Sequence, residues 1–278
     1  MKKIGFVDYY LSEWHANNYP TWMAPCELSS EYKIAYAWAE LDVSPEDGVT
    51  TDEWCEKNGA KKCDTIEELC EKSDVIIILA PSNPEKHLGY AEKVFKYGKR
   101  TYIDKTFAPD LETAKKIFAI AEKYGTPFFS SSALRYASEL DDCGKCNTVM
   151  TMGGGDSVGE YIIHQAEMLV KKIGTGAEKM CLTEKCGALF FNIIYNDDRE
   201  AAMMMGRGIP FSAFMTVKGN PPKYRVAKSK YFESFAADVL RFFEEGTTSF
   251  DVSETLEVMK LCEGAIRAEV NKGEWITL

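Results

Sequence analysis

A chain of 278 residues, 45% hydrophobic and 27% charged, has globular proportions, and its length suits two domains of unequal character. Its formal net charge of −10, with no run of Lys and Arg interleaved with aromatics, argues against a polyanionic partner, nucleic acid above all. No run nears the roughly 18 apolar residues a membrane helix needs, Asp8 interrupts the N-terminus before a signal-peptide core, and nine scattered cysteines read as free thiols, so a cytoplasmic protein is expected.

In the first half, short apolar runs alternate with amphipathic stretches, the grammar of parallel strands joined by crossover helices. Residues 3–7 and 34–38 are the first strand candidates. Thr65-Ile-Glu-Glu68 has the spacing of a capping box that opens a helix. Residues 75–79 form a continuous, mostly β-branched run, as in a central strand buried on both faces. Pro84 can occupy the first turn of a helix reaching about Tyr97. Residues 100–103 read as the next strand. Residues 111–124 read as a helix whose Ala114, Ile117, Phe118 and Ala121 share one face, and residues 126–131 close the series.

After about Ser132 the pattern changes, which divides the chain into domains 1–132 and 133–278. A helix over 157–172 is followed by strand-like segments 188–195, 200–205 and 211–217, separated by Asn196-Asp-Asp198 and Gly206-Arg-Gly208. Such short turns imply antiparallel neighbours, and helices over 231–245 and 253–271 pack against the sheet. The expected fold is therefore α/β: a parallel-sheet domain followed by an α+β domain with a mainly antiparallel sheet. Cys143-Gly-Lys-Cys146 with Cys181 and Cys186 could be read as four zinc thiolates, but the second spacing is loose and no histidine joins them, so no metal is expected.

Three stretches resemble the Gfo/Idh/MocA family, the glucose–fructose oxidoreductase and inositol dehydrogenase-like enzymes. They are Asp74-Val-Ile-Ile-Ile-Leu-Ala-Pro-Ser-Asn83 with His87, Tyr102-Ile-Asp-Lys-Thr106, and Glu160-Tyr-Ile-Ile-His164; the ending Arg267-Ala-Glu-Val-Asn-Lys-Gly-Glu-Trp275 is also similar. The resemblance implies a Rossmann-like domain joined to one with an open-faced sheet through which members commonly oligomerise, and hydride transfer between NAD or NADP and a sugar- or polyol-like alcohol or ketone. It places Lys105 and His164 at the reacting oxygen, His164 as acid–base group and Lys105 stabilising negative charge, with Glu160 in support. It places Asp8, Tyr9, Leu11, Ser12, Glu40, Pro81, Asn83, His87 and Asp104 around the cofactor. Glu40 as a ribose ligand favours NAD over NADP, although it lies further from the loop than the usual spacing of about 20 residues.

Each assignment has a structural counterpart. Ser157-Val-Gly-Glu160 is itself a capping box, His164 stands among Ile162, Ile163, Met168 and Leu169, and a lysine such as Lys105 is ordinarily a surface charge. The sequence also departs from the family. The first βα turn, Phe6-Val-Asp-Tyr-Tyr-Leu-Ser-Glu-Trp-His15, has no glycine, where a dinucleotide fold uses glycines to let backbone amides reach the pyrophosphate. If His15 matches the family's histidine, Val7, Tyr9 and Ser12 stand near the three glycine positions. Asp104 and Thr106 replace Glu and Pro around Lys105, and the chain between Arg135 and His164 is short for the family. A second reading follows: a non-catalytic relative that binds a sugar or nucleotide as a sensor or partner-binding protein.

Overall fold

The computed structural model describes residues 1–278 and resolves into two compact units. The first comprises residues 1–131 and 233–252, the second residues 132–232 and 253–278. The break after Ser131 falls one residue from the boundary read in the sequence, but the return of residues 233–252 to the first unit replaces the division into two contiguous segments.

The first unit is a six-stranded parallel sheet with strands β1 (Lys2–Asp8), β2 (Tyr32–Ala39), β3 (Lys61–Lys62), β4 (Val75–Ile78), β5 (Thr101–Ile103) and β6 (Phe128–Phe129). Their order, β3-β2-β1-β4-β5-β6, is that of a Rossmann fold, and every pairing is parallel. The crossover helices are α1 (Trp14–Met23), α2 (Thr51–Asn58), α3 (Ile66–Lys72), α4 (His87–Val94) and α5 (Leu111–Tyr124). All four residues of β4 are buried, as a central strand covered on both faces requires. Gly5 has a packing reason: a Cβ there would lie 2.5 Å from both Leu69 and Ser73, so only glycine lets α3 lie this close to β1.

Helix α7 (Tyr231–Glu245) explains the return to the first unit. Its buried face carries Phe235, Val239, Phe242 and Phe243; Phe235 meets Tyr102 with ring centroids 5.2 Å apart, and Phe242 meets Phe129 at 4.9 Å. Arg100 Nη1 donates to the carbonyls of Phe243 and Glu244 at 2.6 and 2.8 Å, closing the helix C-terminus with a cation. The helix thus covers aromatic surface of β5 and β6.

The second unit is a seven-stranded sheet of β7 (Thr148–Gly153), β8 (Ala177–Lys185), β9 (Ala188–Tyr195), β10 (Glu200–Gly206), β11 (Ser212–Thr216), β12 (Lys223–Val226) and β13 (Trp275–Thr277). The order is β12-β11-β7-β10-β9-β8-β13, and all pairings are antiparallel except β7 with β10. This corrects the expected meander: β9 and β10 are neighbours, but β7 lies between β10 and β11. Helices α6 (Val158–Ile173) and α8 (Glu254–Val270) pack together on one face, over Val149, Met180, Leu182, Phe191 and Met203. The alternate residues Met150, Met152, Phe190, Met204 and Phe214 are only half-buried, and Ile194 is exposed, so the other face is open within this unit.

Candidate functional site

In the first unit, the candidate residues gather where β1, β4 and β5 end. Asp8 closes β1, and its carboxylate Oδ1 accepts the amides of Tyr9 at 2.7 Å and Ala80 at 2.9 Å, fixing the turn after β4 where Ala80 has φ +66°. Its Oδ2 has no partner and the residue is 1% exposed. Burial, with Glu13 nearby, raises the Asp8 carboxyl well above the usual range.

Glu13 is the N-cap of α1. Its carboxylate accepts the amide of His15 at 2.7 Å and that of Ala16, the donors a helix leaves unpaired at its start. The side chain is buried, which pushes its carboxyl up to about 7 against the opposing pull of His15 and of the two amides. His15 in turn directs Nδ1 at Asp104 Oδ2, 2.5 Å away. Asp104 follows β5, is 1% exposed, and its Oδ1 accepts the Lys105 amide at 2.8 Å and the Tyr102 hydroxyl at 3.3 Å. Burial alone would raise the Asp104 carboxyl; His15 and Lys105 outweigh it and hold it below the usual range. With Asp104 Oδ2 as acceptor, His15 Nδ1 carries the hydrogen and Nε2 is left as the ring's other nitrogen.

Residues 9–12 are tied to the segment that follows β2. Tyr9 O accepts the Leu41 amide at 2.8 Å, Tyr10 donates its hydroxyl to Glu46 at 2.7 Å, Ser12 donates to Asp47 at 2.7 Å, and Ser44 donates to Ser12 O at 3.0 Å. Leu11 is buried in the core. Both oxygens of Glu40 are taken, by Lys86 at 2.5 Å and the Tyr90 hydroxyl at 2.8 Å; burial works to raise this carboxyl, and these partners hold it below the usual range. Asn83 donates to Glu85. The half-buried Lys105 points Nζ at the Pro81 carbonyl, 3.4 Å away, and the Lys105–Thr106 peptide is cis. His87 is fully buried with Nδ1 against Phe107 O at 2.9 Å and Nε2 against Leu79 O at 2.5 Å. Both nitrogens are occupied, so His87 clamps two chain segments and offers nothing to a ligand.

In the second unit, Ser157 caps α6 by accepting the Glu160 amide at 3.4 Å, and Glu160 is exposed on the first turn. His164 lies one turn on, partly exposed, with Nδ1 2.7 Å from Ser132 Oγ and its ring edge-on to Phe211 at 5.5 Å. Ser132 donates its amide to Glu167 at 3.0 Å, and Glu167 accepts Arg135 Nη1 at 2.9 Å; Arg135 also pairs with Glu254. This buried chain of charges fixes the residue that faces His164. Cys143 and Cys146 bring their sulfurs to 3.5 Å, but Cys181 and Cys186 do not join them, and no group of three or more His, Cys, Asp or Glu side chains is arranged to hold a metal. Sequence reasoning assigned no role to Glu13 and used His15 only to align the loop. Glutamate is not a preferred N-cap, and His15 meets Asp104 only through the fold.

The family model described as "Oxidoreductase family, NAD-binding Rossmann fold", GFO_IDH_MocA, matches residues 39–131. An uncharacterised oxidoreductase, YhhX of Escherichia coli K12, is 30% identical over 66 residues, which is 23% of this chain and 19% of that protein. Within the first unit, residues 39–131 match the Gfo/Idh/MocA family model. Solved structures share the fold across the whole chain: scyllo-inositol dehydrogenase from Lactobacillus casei with bound NAD(H) and scyllo-inositol, at 13% identity and TM-score 0.76, covers 100% of this chain and 99% of its own. A probable dehydrogenase from Thermotoga maritima, at 10% identity and TM-score 0.78, covers 99% and 98%. No helix of the chain is long and apolar enough to cross a membrane.

The Gfo/Idh/MocA match begins at residue 39, after β1, the following loop and α1, the part of a Rossmann fold that holds the pyrophosphate. The residues found there do not fit that group. The α1 amides that would receive a phosphate oxygen are taken by Glu13, Asp104 lies ionised nearby, and residues 9–12 are bound to residues 41–47. A pyrophosphate would have to displace an internal carboxylate from the helix end and then face like charge.

Proposed function

We propose that the chain is a divergent Gfo/Idh/MocA relative that recognises a sugar- or polyol-like ligand without holding a dinucleotide at the head of α1. The observation that carries this reading is the Glu13 carboxylate seated on the His15 and Ala16 amides. Its oxygens occupy the amides at the helix end that a bound phosphate would otherwise take. The polyol class is supported by the fold shared with the scyllo-inositol-bound dehydrogenase. The open face of the second sheet, with Met150, Met152, Phe190, Met204 and Phe214 half-buried, supports self-association through that sheet.

A second reading, NAD(P)-dependent oxidation of a sugar or polyol, is favoured by the half-buried Lys105 just after β5 and by the partly exposed His164 held at Nδ1. In it His164 handles the proton, Lys105 holds the reacting oxygen, Glu160 supports them, and Glu40 favours NAD because a carboxylate repels a 2′-phosphate.

Calorimetric titration with NAD, NADH, NADP and NADPH, and separately with scyllo- and myo-inositol, tests both readings. No dinucleotide binding at millimolar concentration, with polyol binding retained, is the expected result. Dinucleotide binding would overturn the first reading. In that event Lys105→Ala and His164→Ala should each slow turnover by about 10²–10⁴-fold.

A further inference from the structure

Of nine cysteines, only Cys143 and Cys146 bring their sulfurs into contact, 3.5 Å apart. They lie in Cys143-Gly-Lys-Cys146, between a short 3-10 turn (Ser138–Asp142) and β7, in a segment outside the site described above. The two thiols differ. Cys143 is part-exposed and Cys146 is buried, and burial together with the Cys143 thiol pushes Cys146 up to about 11. The loop is anchored to the last turn of α6: Cys146 donates its amide to Lys172 O at 2.8 Å, and the buried Lys172 ammonium donates to the carbonyls of Leu140, at 2.6 Å, and Cys143. Lys172 has no carboxylate partner, and its charge, with that of Lys223, works against the burial that raises Cys146.

We propose that Cys143 and Cys146 form a thiol–disulfide exchange site whose substrate is a small disulfide of the glutathione class. The Cys143 thiolate attacks one sulfur of the substrate, forming a mixed disulfide and releasing one thiolate of the substrate. Cys146 then loses its proton and attacks Cys143 Sγ, forming the Cys143–Cys146 bond and expelling the second substrate thiolate. The protein gives up two electrons, the substrate takes them, and two thiols leave. The sulfurs need to close from 3.5 Å to about 2.05 Å, within the freedom of the two cysteine side chains in a loop that holds Gly144. The exposed Cys186 stands alone, and no other pair of cysteines brings its sulfurs into contact, so none of the others can resolve a mixed disulfide in this way.

Native protein incubated with glutathione disulfide, quenched in acid, alkylated and digested should yield the 143–146 peptide in its bridged form, and dithiothreitol should restore both thiols. Cys146→Ser should instead accumulate a glutathione adduct on Cys143, and Cys143→Ser should abolish the bridge and leave Cys146 alkylated. In the wild type the Cys143 adduct should not accumulate before the bridge forms, as expected for an intramolecular second step. A 143–146 peptide that stays alkylated while Cys186 takes up glutathione would overturn the proposal, as would glutathione on Cys146 in the Cys143→Ser protein.

Discussion

A carboxylate at a helix start commonly stabilises it, yet Glu13 stabilises α1 at the cost of its own burial beside Asp8 and Asp104. Its folded-state pKa is raised to about 7, above an unfolded value near 4.3, so below that lower value both states are protonated and the stability is fully present. As pH rises towards 7 the unfolded chain ionises while folded Glu13 keeps its proton, and that stability is lost. Asp8 contributes with the same sign and Asp104, whose carboxyl is lowered, with the opposite sign. The difference between wild type and Glu13→Gln isolates the Glu13 part: the Tm decline of the wild type from pH 5 to 7 should flatten in the variant, which keeps an oxygen for the Ala16 amide. Equal slopes would show that Glu13 does not carry the titration. Glu13→Ala, which also removes the cap, should cost about 1 kcal/mol at pH 5.

The elements that hold His164 show what a sequence can and cannot disclose. Helix α6 is legible from its apolar period and from Ser157, and α5 and α7 have the bounds their periodicity implies. Strands β7 and β8 were not anticipated; β8 reads Ala-Glu-Lys-Met-Cys-Leu-Thr-Glu-Lys, with polar residues at both ends and a short buried centre. That β7 inserts between β10 and β11 is a non-local pairing that no local pattern encodes. The Arg135–Glu167–Glu254 cluster is equally silent in sequence, because its members are separated by 32 and 119 residues from Arg135. Arg135→Met should leave Glu167 buried without its cation and cost about 3–5 kcal/mol, whereas Arg135→Met with Glu167→Leu should recover most of the loss. Urea midpoints of the three proteins measure this; equal loss in single and double variants would show that the pair contributes only by packing.

Across the whole chain, a parallel-sheet half and a mainly antiparallel half were readable from alternating strand and helix signals, while the discontinuity at 233–252 was not, because α7 looks like any amphipathic helix and its partners Tyr102 and Phe129 lie far back in the chain. The loop without glycines was visible in the sequence; its capture by Glu13 and by residues 41–47 required the fold. The open face of the second sheet gives the prediction that belongs to this scale. Phe214 faces Met150 across β11 and β7, and both are half-buried in the isolated chain. Phe214→Glu should therefore convert an oligomer to monomer in light scattering with Tm changed little. A wild type that is already monomeric at micromolar concentration would refute self-association through this face.

The placement of α7 also bears on how the protein is made. The aromatic surface of Tyr102 and Phe129 leaves the ribosome about a hundred residues before the helix that covers it. At translation rates of about 5–20 residues per second, that surface stays bare for on the order of 5–20 s. During that interval the nascent sheet is a target for holdase chaperones, and the synthesis of a later segment sets when the earlier one is finished.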